Sequence, residues 1–157
     1  MAYVSLDSDQ IKKAHKKHKY SKTQVEQLEK CMDTKTGPLF FMKTFMKIQH
    51  PVKGSMPFDP YPYQERLINS YNDHRFSIAM LPRQTGKTTC ASGFLIWYAM
   101  FRPDSQILIA AHKYAGASDI MSRVRYAYEM LPSWIKAGVT QYNRNSIEFD
   151  NGSKISA

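Results

Sequence analysis

The chain has 157 residues, 43% of them hydrophobic, which is enough for one domain with a real core and too apolar for a disordered chain. Its formal charge is +9 and its pI about 9.5. That balance favours a polyanionic partner such as nucleic acid, with a solvated basic surface as the plain alternative. No apolar stretch reaches membrane-spanning length and the N-terminus lacks a signal-peptide layout. The two lone cysteines, Cys31 and Cys90, fit a reducing compartment, so a soluble intracellular protein is expected.

Residues 1–56 hold eleven Lys/Arg against five Asp/Glu and read as a basic, helical N-terminal leader. Asp7 or Ser8 caps a first helix running through Lys19. That helix carries the run Lys12-Lys13-Ala14-His15-Lys16-Lys17-His18-Lys19, whose lysines suit phosphate contacts or plain solvation. Ser21 caps a second helix through Cys31, with Gln24 at the third helical position completing a capping box. Gly37-Pro38 breaks the chain. Leu39 to Ile48 is apolar at helical spacing and reads as a packing face rather than a ligand site. From His50-Pro51 to Tyr61-Pro62, four prolines and Gly54 mark a connector, since each Pro removes a donor and restricts its predecessor.

Residues 57–157 then alternate helix and strand. Tyr63 to Tyr71 is helical, and Phe76 to Leu81 is a short apolar run that reads as a buried strand. Gly86 to Phe101 is a helix apolar nearly all round, hence buried, with Cys90 as a small core residue. Gln106 to Ala111 is a second strand, and Ala115 to Leu131 an amphipathic helix ended by Pro132. Ser146 to Asp150 and Ser153 to Ser156 flank Asn151-Gly152, the signal of a hairpin with a tight type I′ turn. The order predicts an α/β fold: a parallel sheet flanked by helices, of the P-loop (RecA/helicase-like) kind, with strands still to be supplied.

The chemistry concentrates where the first strand runs into Pro82-Arg83-Gln84-Thr85-Gly86-Lys87-Thr88-Thr89. A phosphate chain needs backbone N–H groups aimed inward at a helix N-terminus, where the dipole favours negative charge. Gly86 lets the backbone approach, Lys87 meets the β- and γ-phosphates, and Thr88 offers its hydroxyl to Mg²⁺. ATP and Mg²⁺ are therefore the expected cofactors. Leu81 occupies the position where this loop usually opens with Gly. Upstream, Tyr61-Pro62-Tyr63-Gln64 places an aromatic beside a Gln whose amide matches the N6 and N7 of adenine, although a Gln opening a surface helix is the other reading.

These residues together resemble the N-terminal part of the large terminase subunit of tailed, T4-like bacteriophages. The likeness runs through Phe45-Met-Lys-Ile-Gln-His-Pro51 with Gly54 and Pro57-Phe58, then Tyr63-Gln64, Arg83 to Thr89, Ile109-Ala-Ala-His-Lys113, Leu131-Pro132 and Ser146 to Ser153. It extends to the missing first Gly of the loop. The first 35 residues or so match loosely. The resemblance implies an ATPase that drives duplex DNA into a capsid, joined to a nuclease not contained in these residues. By position it implies adenine contacts from Tyr63 and Gln64 and nucleotide contacts along Arg83, Gln84, Thr85, Gly86, Lys87, Thr88 and Thr89. It also implies a γ-phosphate role for Arg83 as an arginine finger in cis, beside Lys87. His112 becomes a candidate for coupling ATP state to DNA grip, a plain loop residue being the equal alternative. The implied partners are double-stranded DNA, the portal protein, the small terminase subunit and further copies of the chain, in the host cytoplasm and away from membranes.

A P-loop ATPase also needs an acidic pair at the end of an apolar strand, to support Mg²⁺ and activate water. The acids after Lys87 are Asp104, Asp119, Glu129, Glu148 and Asp150. None follows four apolar residues and no two are adjacent. The expectation is therefore a phosphate cradle without its catalytic carboxylates, inactive by itself. Two other readings remain: the first lobe of another ATP-dependent helicase or translocase, and a non-catalytic basic DNA-binding product of a split gene.

Overall fold

Local capping starts the first helix. In the computed structural model, which describes residues 10–157 apart from Pro51 and Lys53, the Ser21 hydroxyl accepts the Gln24 N–H at 3.3 Å and the Gln24 side chain accepts the Ser21 N–H at 3.0 Å. This capping box opens α1 (Lys22–Met32). Its last turn brings the Cys31 carbonyl to the indole N–H of Trp97, at 2.8 Å. The next helix, α2 (Gly37–Phe45), has Pro38 in its first turn and buries Phe41, Met42 and Phe45.

Here the chain departs from the expected helix through Ile48. It extends at Met46 into β1 (Lys47–His50), which pairs antiparallel with β2 (Gly54–Pro57). The stretch expected as a connector thus contains a hairpin. Pro57 is compatible because it stands at the end of the ladder, opposite Lys47. Pro62 then takes the first position of α3 (Pro62–Asp73).

The central element is α4 (Lys87–Phe101). It packs against α2 and α3, against α5 (Tyr114–Glu129), and against β3 (Gln106–Leu108) and β6 (Lys154–Ser156). Being covered on most sides, it buries Cys90, Phe94, Ile96, Trp97, Ala99 and Met100, which is why its apolar residues show no single stripe. Cys90 is the core residue expected. The larger sheet has the order β3-β6-β5-β4, with β4 at Val139–Tyr142 and β5 at Ser146–Phe149. Its buried Val139, Ile147, Phe149 and Ile155 share a core with Met121, Val124 and Tyr128 of α5.

The chain is α/β, with five helices and two small sheets among the described residues. Four expectations need correction. The larger sheet is mixed, since only β3 and β6 pair parallel and β4-β5-β6 is an antiparallel meander. Residues 76–81 form no strand: a bend at Phe76 is followed by irregular chain, and nothing among the described residues supplies a ladder to it. The second strand is shorter than Gln106 to Ala111, and β4 was not foreseen. The Asn151-Gly152 hairpin forms, but only Gly152 has positive φ (83°), and its N–H returns to the Phe149 carbonyl at 3.2 Å. That is a turn over Asp150-Asn151 closed by a left-handed glycine, not type I′. The reason lies in Asn151, whose side chain donates to the carbonyls of Ala99 (2.8 Å) and Met100 (3.3 Å) and so is held against the end of α4.

The leader also differs. Asp7 and Ser8, proposed as caps, lie outside the described residues, and residues 10–19 are not helical. Lys13 instead bridges parallel to Val139, with the Val139 N–H on the Lys12 carbonyl at 2.9 Å. A helix here would offer the core little besides Ile11, whereas the extended form buries Ile11 and uses two lysines as clamps. The Lys136 ammonium, in a residue 3% exposed, donates to the carbonyls of Gln10 (2.7 Å) and Glu129 (2.9 Å). The Lys12 ammonium donates to the Lys136 carbonyl at 2.8 Å. Burial holds both amines below the usual lysine range. Among the described residues no helix is long and apolar enough to cross a membrane.

Candidate phosphate-binding site

The loop between residues 76–81 and α4 is shaped by two left-handed residues, Gln84 (φ 63°) and Gly86 (φ 76°). Such alternation turns neighbouring N–H groups toward one concavity, the geometry that receives anions. Gly86 is the N-cap of α4. The first helical bond runs from the Cys90 N–H to the Gly86 carbonyl at 2.9 Å, so the N–H groups of the first turn have no acceptor within the helix. The positive end of the helix dipole lies at the same place.

Glycine is required at 86 on two counts. Its φ is left-handed, and a Cβ there would stand 2.6 Å from the Gln64 side-chain nitrogen. That close approach reflects how α3 meets the loop. The Gln64 amide donates to the Thr85 carbonyl at 3.1 Å, and the Tyr63 hydroxyl donates to the same carbonyl at 3.0 Å. At its other end the Gln64 amide oxygen accepts the Tyr61 N–H at 3.0 Å, as the cap of α3. Gln64 is buried, 7% exposed. The Tyr61 ring stacks on Tyr63, with centroids 5.8 Å apart and planes 7° off parallel.

Lys87, the first residue of α4, folds back over the loop. Its ammonium donates to the carbonyls of Leu81 (2.8 Å) and Pro82 (2.5 Å). The Thr85 hydroxyl also donates to the Pro82 carbonyl, at 3.0 Å. The cation is thus held at the start of the loop by backbone oxygens. Of the other residues singled out in the sequence, Arg83 and Gln84 are exposed on the loop and Thr88 and Thr89 half-buried in the first turn of α4. His112 is exposed in the segment between β3 and α5. The structure therefore brings Tyr63, Gln64, Thr85, Gly86 and Lys87 into one connected set. The carbonyls of Leu81 and Pro82 and the Tyr61 stack were missed in the sequence. Backbone acceptors leave no side-chain signal, and Tyr61 was legible only as a neighbour of the Tyr63-Gln64 pair.

A nucleotide triphosphate with its magnesium would ask for a helix N-terminus, a cation and a hydroxyl, and Gly86, Lys87 and Thr88 stand in that order at the start of α4. Four of the five acids after Lys87 have polar partners elsewhere. Asp119 pairs with Arg123 at 3.4 Å, Glu148 with Lys154 at 2.6 Å, and Glu129 accepts the Tyr142 hydroxyl at 2.6 Å. Asp150 accepts the His15 N–H at 2.9 Å, and Asp104 faces Gly152 at the hairpin turn.

A family model described as the terminase large subunit, T4likevirus-type, N-terminal, matches residues 78–157. The match begins in the segment before the loop. It takes in the loop, α4, α5 and the whole of the larger sheet.

Proposed function

The chain belongs to the T4-like terminase large subunits, as part of their N-terminal region, and we propose that it holds the nucleotide in an ATP-driven motor packaging duplex DNA into a capsid. The observation carrying this reading is the pairing of a left-handed Gln84/Gly86 loop with Lys87 at the first position of α4. In this role Lys87 leaves the Leu81 and Pro82 carbonyls for the β- and γ-phosphates, the loop N–H groups hold the phosphate oxygens, and Thr88 supports Mg²⁺. Arg83, exposed beside the cradle, is free to swing toward the γ-phosphate. Bound nucleotide supplies the hydrolysable phosphoanhydride. Hydrolysis also takes a metal-supporting carboxylate and a base for water, and Asp119, Glu129, Glu148 and Asp150 are paired with other groups.

Duplex DNA, the portal, the small subunit and further copies of the chain are the partners of this role. His112, at the end of the segment following β3, is the candidate link between nucleotide and DNA. Titration with a fluorescent ATP analogue in Mg²⁺ tests the cradle. Wild type should bind, and Lys87→Ala should bind at least about tenfold more weakly, because a charge-assisted contact to phosphate is lost. Equal affinities would remove the phosphate-loop assignment.

A further inference from the structure

We infer that the cavity between β1, α4 and α5 is a binding site for a small phosphate monoester, separate from the phosphate loop. The inference goes beyond the packaging reading and does not depend on it. The cavity has a volume of about 540 Å³, and its lining includes Lys47 of β1, Thr89 and Ser92 of α4, and Arg123 and Tyr126 of α5. That volume lies in the range that receives small organic ligands. Helical spacing sets the cavity apart from the α3 side of α4. Thr89 and Ser92 share one flank of the helix, while Phe94, whose ring meets that of Tyr71 in α3 at 5.7 Å, lies on another.

Ser92 is the residue that asks for an occupant. It is 1% exposed, and its hydroxyl oxygen has no hydrogen-bond partner among the described residues. A serine within a helix can give its hydroxyl to the carbonyl one turn back. Ser122, on the α5 wall of the same cavity, does so, donating to the Ser118 carbonyl at 3.0 Å. Ser92 makes no such bond, and a buried hydroxyl left alone costs free energy. A hydroxylated ligand reaching the floor of the cavity satisfies it, with the Thr89 side chain three residues earlier on the same flank.

The charges nearer solvent select the other end of the ligand. Lys47 and Arg123 are exposed and stand on two different walls. Asp119 accepts the Arg123 Nε–H at 3.4 Å, which leaves the terminal N–H groups of the guanidinium for an anion. A phosphate monoester carries close to two negative charges at neutral pH and so answers both cations, whereas a carboxylate answers one. In this arrangement the phosphate bridges Lys47 and Arg123, and the hydroxylated body runs past Tyr126 to Ser92.

Calorimetric titration with ribose 5-phosphate tests the site, in a Lys87→Ala background so that the phosphate loop does not contribute its cation. Saturable binding is expected. Arg123→Gln and Lys47→Gln should each weaken it at least about tenfold, because each removes a charge-assisted contact. Ser92→Ala should weaken it roughly three- to tenfold, the size of one net hydrogen bond, while keeping or raising the urea midpoint, since it deletes an unpaired buried hydroxyl. No saturable binding, or equal affinities in Ser92→Ala and Arg123→Gln, would overturn the site. A lower midpoint in Ser92→Ala with binding intact would overturn it as well, by making the hydroxyl structural. Duplex DNA affinity that drops in Ser92→Ala, with ribose 5-phosphate not bound, would give the cavity to a backbone phosphate instead of a small ligand. ATP binding indifferent to Lys87→Ala would end the phosphate-loop reading and leave this titration to decide the cavity by itself.

Discussion

Among single residues, the two cysteines show how far a side chain's type foretells its surroundings. Cys90 was readable as a core residue because it falls in an apolar helical stretch, whereas Cys31 sits in a polar helix and becomes buried only because α1 ends against Trp97. Burial pushes the Cys31 thiol up to about 12 and the Cys90 thiol up to about 11, from an ordinary 9.0. Their folded pKa values are raised, so the stability tied to the protonated thiols is complete below pH 9 and lost as pH climbs through 11 and 12. The tyrosines Tyr128 and Tyr142, also held above their ordinary range by burial, steepen the loss above pH 10. Lys12 and Lys136 act in the opposite sense. Their lowered pKa values mean the unfolded chain binds more protons below 10.5, so rising pH there adds stability. The urea midpoint should fall between pH 9 and 11, and Cys90→Ala should start lower but fall less steeply. Parallel lines for the variant and wild type would show that the thiol plays no part in the alkaline loss.

At the level of elements, legibility followed the range of the interactions involved. The Ser21-Gln24 capping box and the buried character of α4 were readable because both depend on residues within a few positions of one another. The hairpin around Asn151-Gly152 was readable as a hairpin, but its turn type was decided by a contact with α4, fifty residues away in the chain. The leader was misread for the same reason. A lysine-rich run has no periodicity that distinguishes a helix from irregular chain making a single bridge to β4, and the buried Lys136 that anchors it is distant in sequence. A tight turn at Gly86 was legible, but the contacts of Tyr63 and Gln64 with the Thr85 carbonyl were not, because a backbone acceptor leaves no sequence signal. Asn151 links hairpin and helix, so Asn151→Ala should cost about 1–2 kcal/mol, leaving two carbonyls of α4 without their donor. Gly152→Ala should cost at least as much, since φ there is 83° and the new Cβ would press on Asp104. Urea unfolding of the two variants checks this, and stabilities within ~0.3 kcal/mol of wild type would mean that the hairpin does not cap α4.

Across the whole molecule, exposed basic charge and exposed apolar surface lie on different segments. Of the leader run, Lys12 is a structural clamp, whereas Lys16, Lys17 and Lys19 stand exposed beyond the bridge to β4. They are the candidates for DNA phosphate in the proposed motor. The segment before the loop exposes Phe76, Ile78 and Met80 at 81%, 92% and 92%, and Leu108 on β3 is 77% exposed. Large apolar side chains exposed to this degree are the kind that proteins bury against a partner surface. A dye that fluoresces on apolar surface should therefore bind the native chain, and replacing the three by Thr should reduce that signal without lowering the urea midpoint. DNA binding is the sharper test, because its two contributions separate with salt. Lysine–phosphate contacts release counterions, giving a log–log salt slope of about −0.9 for each phosphate neutralised, whereas apolar association has no such slope. Converting Lys16, Lys17 and Lys19 to Gln should make the slope for duplex DNA shallower by roughly 2 to 3, equally for unrelated sequences, with the fold intact. Lys12→Gln, by contrast, should lower the unfolding midpoint because it removes the clamp on the Lys136 carbonyl. A slope unchanged in the triple variant would move the DNA surface off the leader and onto the remaining basic residues around the α/β core.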